Sequence, residues 1–143
     1  MRYFDTSFIT PLIKYEPTSE RVTRFLAGFT DEELAISHWT RVELSSVLAR
    51  EVRMGGMDAR AADSAATLFD SIIAESFTVL LSGPEAFDLA RRYITRYESG
   101  LRAGDALHLA TASTHRATTI YSLDKVLIKA GELFGLPVSA GIG

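Results

Sequence analysis

Short runs of β-favouring apolar residues alternate along this chain with longer segments in which apolar residues recur at helical spacing. Parallel strands need a crossover connection, usually a helix, so strands separated by helices predict a parallel sheet. The pattern therefore predicts an α/β fold, a three-layer α/β/α sandwich with a central parallel sheet. The predicted strands are Arg2–Phe4, Leu34–Ser37, Phe77–Leu81, Thr118–Tyr121 and a weaker Pro137–Ser139.

Three segments between these strands carry a single apolar stripe, which is typical of helices that pack one face against a sheet. The stripes are Leu44, Val47, Leu48 and Val52; Ala62, Ala65, Ala66, Phe69 and Ile73; and Ala86, Leu89, Ala90, Tyr93, Ile94 and Tyr97. A fourth segment, Ala103–Ser113, is apolar on most sides, which predicts a helix enclosed in the interior. Proline and glycine occur singly between the segments, and no repeat or linker interrupts them, so residues 1–143 are predicted to form one domain.

The composition excludes several classes of protein. The absence of cysteine excludes disulfide scaffolds, thiolate zinc sites, iron–sulfur clusters and cysteine nucleophiles. Fifteen Lys and Arg against 18 Asp and Glu give a formal charge of −3, which argues against a generally basic nucleic-acid-binding surface. No signal-peptide pattern or membrane-length apolar stretch occurs in the sequence, so we expect a cytoplasmic protein without membrane association.

Four carboxylates occur where strands end or a helix begins: Asp5, Glu43, Asp105 and Asp124. Open parallel sheets bind ligands at the carboxyl ends of their strands, so we expect all four on one rim of the sheet. Each acid also has a local structural interpretation. Glu43 with Thr40 fits a capping box, Asp124 fits an N-cap, Asp105 suits a helix N-terminus and Asp5 suits an Asx turn. No lysine lies within the four motifs, and capping alone would accept neutral residues.

Carboxylates that share a site cannot all ionise unless positive charge joins them. Mg²⁺ and Mn²⁺ prefer carboxylate oxygens and water, and four carboxylates suit one or two such ions. Paired ions of this kind stabilise the attacking and leaving oxygens in displacement at phosphorus. The four acids therefore indicate metal-dependent hydrolysis of a phosphodiester.

Four short motifs resemble those of the PIN domain, and the length of the chain resembles the VapC toxins of bacterial toxin–antitoxin pairs. The motifs are Asp5-Thr6-Ser7, Thr40-x-x-Glu43-Leu44, the helix Gly104-Asp105-Ala106-Leu107-His108-Leu109-Ala110-Thr111-Ala112, and Ser122-Leu123-Asp124. The family's last motif usually has threonine where this chain has Ser122, which keeps the hydroxyl.

The resemblance implies a sheet order of 3-2-1-4-5 and a Mg²⁺- or Mn²⁺-dependent endoribonuclease that leaves a 5′-phosphate. It further implies a homodimer and a cognate VapB-like antitoxin that occludes the site. It assigns the acidic quartet of the family, as catalytic residues and metal ligands, to Asp5, Glu43, Asp105 and Asp124.

Several other polar residues are secondary candidates. Thr6 and Ser7 could orient Asp5 or hold a metal-bound water, and Ser122 could do so beside Asp124; the alternative for the first two is a helix start. Arg102 and Arg41 are candidate contacts for RNA phosphates. The alternative for the arginines that precede Asp105 is a solvated helix face, with Asp88 paired to Arg92.

Among the rings near the motifs, His108 shares a helical face with Asp105 but is interpreted as a core histidine, to which the family resemblance gives no role. Trp39 is a candidate for base stacking, whereas Tyr93 and Tyr97 are predicted to belong to the core or a dimer interface.

Two other folds that bind Mg²⁺ through clustered acids are excluded, because this chain lacks a residue that each of them requires. A receiver domain needs an aspartate at the end of its third strand, where this chain has Leu80-Leu81-Ser82-Gly83. A haloacid dehalogenase-type phosphatase needs Asp-x-Asp after the first strand, and here residue 7 is serine. A non-catalytic module whose acidic rim docks a basic partner peptide stays open as the alternative.

Overall fold

Five short strands form a parallel sheet in the computed structural model, which describes residues 1–142. Their order, β3-β2-β1-β4-β5, confirms the order expected from the resemblance. Every neighbouring pair is parallel, and Tyr3, for example, pairs with Ala35 on one side and Ile120 on the other. The strands are β1 Arg2–Phe4, β2 Leu34–Ser37, β3 Thr78–Leu80, β4 Thr119–Tyr121 and β5 Val138–Ser139.

Seven α-helices of residues 1–142 connect and cover the strands, and two single 3₁₀ turns, Thr10–Leu12 and Tyr97–Ser99, lie between them. The helices are α1 Thr6–Ile9, α2 Ser19–Ala27, α3 His38–Arg53, α4 Ala59–Ser76, α5 Pro84–Thr95, α6 Ala103–Thr114 and α7 Lys125–Leu133. None of the helices described is both long and apolar enough to cross a membrane.

Successive residues of a strand point to opposite faces of the sheet, and this alternation divides the core into two. Tyr3 and Ala35 join a cluster with residues of α5, α6 and α7, whereas Phe4 and Ile36 join a cluster with residues of α1 to α4. Aromatic rings fill much of the second cluster, where the Phe4 and Tyr121 rings stack at 5.0 Å between centroids. The predicted three layers are therefore present, with the sheet in the middle.

The enclosed position of α6 is confirmed, because its residues from Ala106 to Ala112 are all buried. Elsewhere the predicted elements differ at their ends: β3 and β4 are shorter than Phe77–Leu81 and Thr118–Tyr121. Tyr97 was predicted to continue the apolar stripe of α5, but that helix ends at Thr95 and the Tyr97 side chain is 84% exposed. The backbone at Arg96 leaves helical geometry, with ψ of 86°, and this turns Tyr97 outward.

The strand order reverses beside β1, because the chain runs from β1 to β2 and β3 on one side and then crosses to β4 on the other. The carboxyl ends of β1, β2 and β4 are therefore adjacent, at the place where open α/β sheets bind ligands. Asp5 directly follows β1 at this position.

Candidate active site

The four predicted carboxylates line one cavity of about 300 Å³ at the carboxyl edge of the sheet. Its other lining residues are Thr6, Ser7, Thr10, Ser46, Val47 and His108. No lysine or arginine of the described residues lines it, so among them His108 is the one lining side chain that can offset the charge of the four acids.

Asp5 is buried at the end of β1 and caps α1, accepting a hydrogen bond from the Phe8 amide at 3.1 Å. Ser7 donates to its Oδ1 at 2.7 Å, and Ser122 donates to its Oδ2 at 2.6 Å. Burial raises the pKa of the Asp5 carboxyl, and the interactions with His108, Ser122 and Ser7 oppose the increase. Both oxygens of Asp5 are thus fixed by hydroxyl donors.

Glu43 reaches the cavity from the second turn of α3, because that helix begins directly where β2 ends. The predicted capping box of Thr40 with Glu43, which would put Glu43 in the first turn of the helix, is wrong. Ser37 is the N-cap and Thr40 completes the box, which leaves the Glu43 side chain free to face β1. Thr6 donates to Glu43 Oε1 at 2.6 Å. Its hydroxyl was expected to orient Asp5, but it contacts Glu43 instead.

His108 also forms a hydrogen bond, through Nε2, with Glu43 Oε1. The interpretation of His108 as a core histidine is confirmed, since its side chain is 1% exposed, but the same side chain also contacts a carboxylate of the cavity. Burial alone would raise the pKa of the Glu43 carboxyl, but its interactions with His108 and Thr6 outweigh burial and hold that pKa below its usual value.

Asp105 is the third residue of α6 and has no hydrogen-bond donor among residues 1–142. Burial, together with the negative charges of Asp124, Asp5 and Glu43, raises the pKa of the Asp105 carboxyl to about 6. The ionised form of Asp105 is thus destabilised by the other three carboxylates without a hydrogen bond to compensate.

Asp124 is the N-cap of α7, as its local interpretation predicted, and its Oδ1 accepts from the amides of Val126 and Leu127 at 2.8 and 3.3 Å. Ser122 accepts from the Asp124 amide at 3.0 Å while its own hydroxyl donates to Asp5. Ser122 therefore links two of the carboxylate-bearing segments.

A second cavity, of about 530 Å³, shares Glu43, Asp105 and Asp124 with the first. Its remaining lining residues are Trp39, Gly100, Arg102, Gly104 and Val126. Arg102 is exposed and forms no ion pair with the described residues, so it brings one free guanidinium beside the shared acids.

The other predicted cation, Arg41, lines neither cavity and contacts His38, with 3.1 Å between Arg41 Nη1 and His38 Nδ1. The predicted pairing of Asp88 with Arg92 is also wrong, because Asp88 lies 3.9 Å from Arg91 one turn away.

Oxygen donors dominate the polar lining of the first cavity, and carboxylates and hydroxyls are ligands that suit Mg²⁺ and Mn²⁺. No group of three or more His, Asp or Glu side chains in residues 1–142 is arranged so that together they could hold a metal ion. Mg²⁺ typically keeps several waters and takes one or two protein carboxylates, so an open donor set fits such an ion. Asp105, which lacks a protein donor, fits the role of a direct ligand.

Besides His108, three lining residues and one neighbour were not among the predicted site residues: Thr10, Ser46, Val47 and Tyr3. Ser46 and Val47 follow Glu43 by three and four positions, so helical spacing could have indicated them. Tyr3 lies behind the cavity, with its hydroxyl 2.6 Å from His108 Nδ1, and no local pattern marks that contact.

Comparison with known proteins gave a match to the family model of the PIN domain over residues 2–133. No curated protein sequence matches the chain significantly. Among solved structures, the chain is similar to VapC20 of Mycobacterium tuberculosis, described as a sarcin–ricin loop cleaving toxin, with a TM-score of 0.70, 20% identity and coverage of 92% of this chain and 95% of that one.

Two further structures are similar over nearly the whole chain. FitAcB from Neisseria gonorrhoeae has a TM-score of 0.71 and 20% identity, covering 99% of this chain and 98% of that one. A toxin–antitoxin complex from Klebsiella pneumoniae has a TM-score of 0.63 and 18% identity, covering 99% and 98%. At these identities the three structures show the same fold.

Proposed function

Because this chain belongs to the PIN domain family, we propose that it is a divalent-metal-dependent endoribonuclease and the toxin of a VapBC-type toxin–antitoxin pair. The observation that carries the proposal is the single cavity lined by all four carboxylates, Asp5, Glu43, Asp105 and Asp124, without a lysine or arginine among the described residues. A purely structural set of caps would not need four charged groups facing one water-accessible space.

In this proposal Asp105 and Asp5 are the principal ligands of Mg²⁺ or Mn²⁺, and Glu43 and Asp124 complete the site directly or through water. When bound, a metal ion would neutralise charge on the scissile phosphate and activate water as the nucleophile. The proposed leaving group is the 3′-oxygen, so one product ends in a 3′-hydroxyl and the other carries a 5′-phosphate. The protein's own contribution is positioning: Ser7 and Ser122 hold Asp5, while Thr6 holds Glu43.

The RNA is proposed to extend from the carboxylates into the second cavity, where Arg102 is available to a neighbouring phosphate. Trp39 lines the same cavity and could contact a base there. Arg41, which lines neither cavity, is not part of this path.

The proposed protein partner is an antitoxin that occludes the site, in line with the toxin–antitoxin complex among the structural neighbours. An arginine of that partner would fit among the carboxylates, because its charge can replace that of the metal ion. A homodimer is the proposed oligomeric state, and sedimentation of the purified chain measures it.

The direct test is incubation of the purified protein with total RNA, with Mn²⁺ and with EDTA, followed by sequencing of the RNA ends. We expect cleavage with Mn²⁺, loss of cleavage with EDTA, and 5′-phosphate ends. Asp5→Asn is expected to abolish cleavage while leaving the fold intact. If EDTA or Asp5→Asn leaves cleavage unchanged, the metal mechanism is wrong. If no cut appears under any condition, a non-catalytic module that docks a basic peptide is the better account.

A further inference from the structure

A chain of buried hydrogen bonds connects the interior of the sheet to one carboxylate of the cavity. The Tyr3 hydroxyl on β1 lies 3.0 Å from Ser37 Oγ and 2.6 Å from His108 Nδ1. The other ring nitrogen of His108, Nε2, bonds with Glu43 Oε1. We propose that His108 is a positioning residue of this site, which fixes the Glu43 carboxylate and is itself oriented by Tyr3. This inference rests on the proposed nuclease function.

The chemistry of the ring explains why histidine fits this position. An ionised carboxylate can only accept hydrogen bonds, so Nε2 must carry a proton to bond with Glu43. In the neutral ring Nδ1 is then the acceptor. The single proton of the Tyr3 hydroxyl has two acceptors within reach, His108 Nδ1 at 2.6 Å and Ser37 Oγ at 3.0 Å, and the shorter distance favours donation to His108. His108 is 1% exposed and Tyr3 is fully buried, so water does not compete for these bonds.

Glu43 depends on His108 more than the other acids depend on any one side chain. Backbone amides donate to Asp5 and Asp124, which keeps those carboxylates in place. Glu43 has no backbone donor among the described residues, and the donors to its Oε1 are Thr6 and His108. Removing the imidazole therefore leaves a long side chain held at that oxygen by one hydroxyl.

The test compares four variants with the wild type by Mn²⁺ calorimetry without RNA, by cleavage kinetics and by thermal unfolding. His108→Leu removes both ring nitrogens, His108→Gln keeps an amide donor close to the Nε2 position, and Tyr3→Phe removes only the orienting hydroxyl. His115→Leu is the matched control, because His115 is exposed and bonds to the Leu81 carbonyl, outside both cavities.

We expect His108→Leu to weaken Mn²⁺ affinity or cleavage by roughly 10- to 100-fold, as for other residues that orient metal ligands. His108→Gln should recover most of that loss, Tyr3→Phe should lie between wild type and His108→Leu, and His115→Leu should match the wild type. A folded His108→Leu protein that binds Mn²⁺ and cleaves RNA like the wild type would overturn the proposal. So would a folded His108→Gln protein that is no better than His108→Leu.

Nitrogen-15 NMR of the wild-type imidazoles keeps the proposal testable if His108→Leu does not fold. The expected spectrum has the His108 proton on Nε2, with a ring signal that shifts in Glu43→Gln but not in Asp70→Asn. A ring whose Nε2 is unprotonated, or one that does not respond to Glu43→Gln, contradicts the proposal. This arm also separates the two hypotheses: a wild-type protein that never cleaves RNA disproves the nuclease function, while the NMR result still decides the role of His108.

Discussion

Asp105 is the one carboxylate of the first cavity that receives no hydrogen bond from residues 1–142, and three other negative charges act on it. Ionisation of a carboxyl in that setting is unfavourable, so at neutral pH the site has an electrostatic repulsion that a bound cation would reduce. Two consequences can be measured at this single residue.

The first is a pH dependence of metal binding. Because the pKa of Asp105 is raised to about 6, protons compete with Mn²⁺ for this carboxylate below that pH. Mn²⁺ affinity should rise by about tenfold per pH unit up to about pH 6 and level off above it. Calorimetric titration with Mn²⁺ between pH 5 and 8 measures this, and an affinity that is flat across the range contradicts the assignment.

The second is a gain of stability when the charge is removed. The folded pKa of Asp105 lies above its unfolded value, so its contribution to stability falls as pH rises from about 4 to about 6, and the penalty is complete above that range. Asp105→Asn should therefore stabilise the metal-free protein at pH 8 by on the order of 1 kcal/mol, after allowance for solvent screening. Urea unfolding without metal measures it, with Asp70→Asn on the exposed face of α4 as the control. If Asp105→Asn is less stable than the wild type while Asp70→Asn is unchanged, charge repulsion is not the dominant interaction at Asp105.

Residues whose role follows from local sequence could be found without the structure, and residues whose role follows from a distant contact could not. An acid close after a strand, such as Asp5 or Asp124, is visible in the sequence because the strand end sets its position. The bond between His108 and Glu43 joins residues 65 positions apart, and that between Tyr3 and His108 joins residues 105 apart. Nothing in the local pattern indicates which way those side chains turn.

Among the secondary-structure elements, α6 approaches α3 closely because Gly104 has no side chain. A Cβ at residue 104 would lie 2.8 Å from Glu43 Oε2 and 3.2 Å from Trp39 Nε1, both closer than comfortable contact. The backbone of Gly104 is helical, so glycine is needed here for the close approach of the two helices and not for an unusual backbone conformation. The position of Glu43 thus depends on the packing of two helices as well as on its own hydrogen bonds.

Gly104→Ala tests that packing. The added methyl group should displace Glu43 or Trp39 and lower cleavage by about tenfold. Its effect on stability should be small, because the gain of about 1 kcal/mol in helix propensity offsets the local strain. Kinetics and thermal unfolding of the variant separate the two effects. Gly83→Ala is the control, because its Cβ would meet only the end of the Glu85 side chain. Cleavage by Gly104→Ala at the wild-type rate would show that the added methyl group does not displace Glu43 from its functional position.

The residue before α6 supplies the second element-scale prediction. Arg102 lines the second cavity, whereas Arg41 on α3 contacts His38 outside both cavities. Loss of one phosphate contact to single-stranded RNA lowers the salt dependence of binding by a slope of about 0.7. Arg102→Gln should show that change in RNA binding measured over a series of salt concentrations, and Arg41→Gln should not. Equal slopes for both variants would exclude the proposed RNA path.

The order of the elements was predictable because the spacing of hydrophobic residues differs clearly between strands and helices. The ends of the elements were harder to predict. The end of α5 illustrates the limit: Tyr97 continues the spacing of the stripe, but the backbone at Arg96 has already left the helix. The start of α3 illustrates it too, since Ser37 and Thr40 form the capping box that the sequence assigns equally well to Thr40 and Glu43.

For the whole molecule, the formal charge of −3 conceals an uneven distribution. Apart from the four carboxylates of the cavity, the chain has 14 acids and 15 bases, a charge of +1. The excess acidity is therefore concentrated where a metal ion is proposed to bind and is not spread over the surface. A slightly acidic protein can accordingly approach RNA if the metal ion, and not a basic surface, holds the phosphate.

The measurement that tests this account most directly is the initial rate of RNA cleavage by wild type, Asp105→Asn and Asp70→Asn at pH 7.5 with saturating Mn²⁺. The account predicts that Asp105→Asn loses at least ~100-fold in rate, although it is at least as stable as the wild type, and that Asp70→Asn retains the wild-type rate. Cleavage by Asp105→Asn at the wild-type rate would contradict the assignment of the carboxylate cavity as a metal-dependent nuclease site.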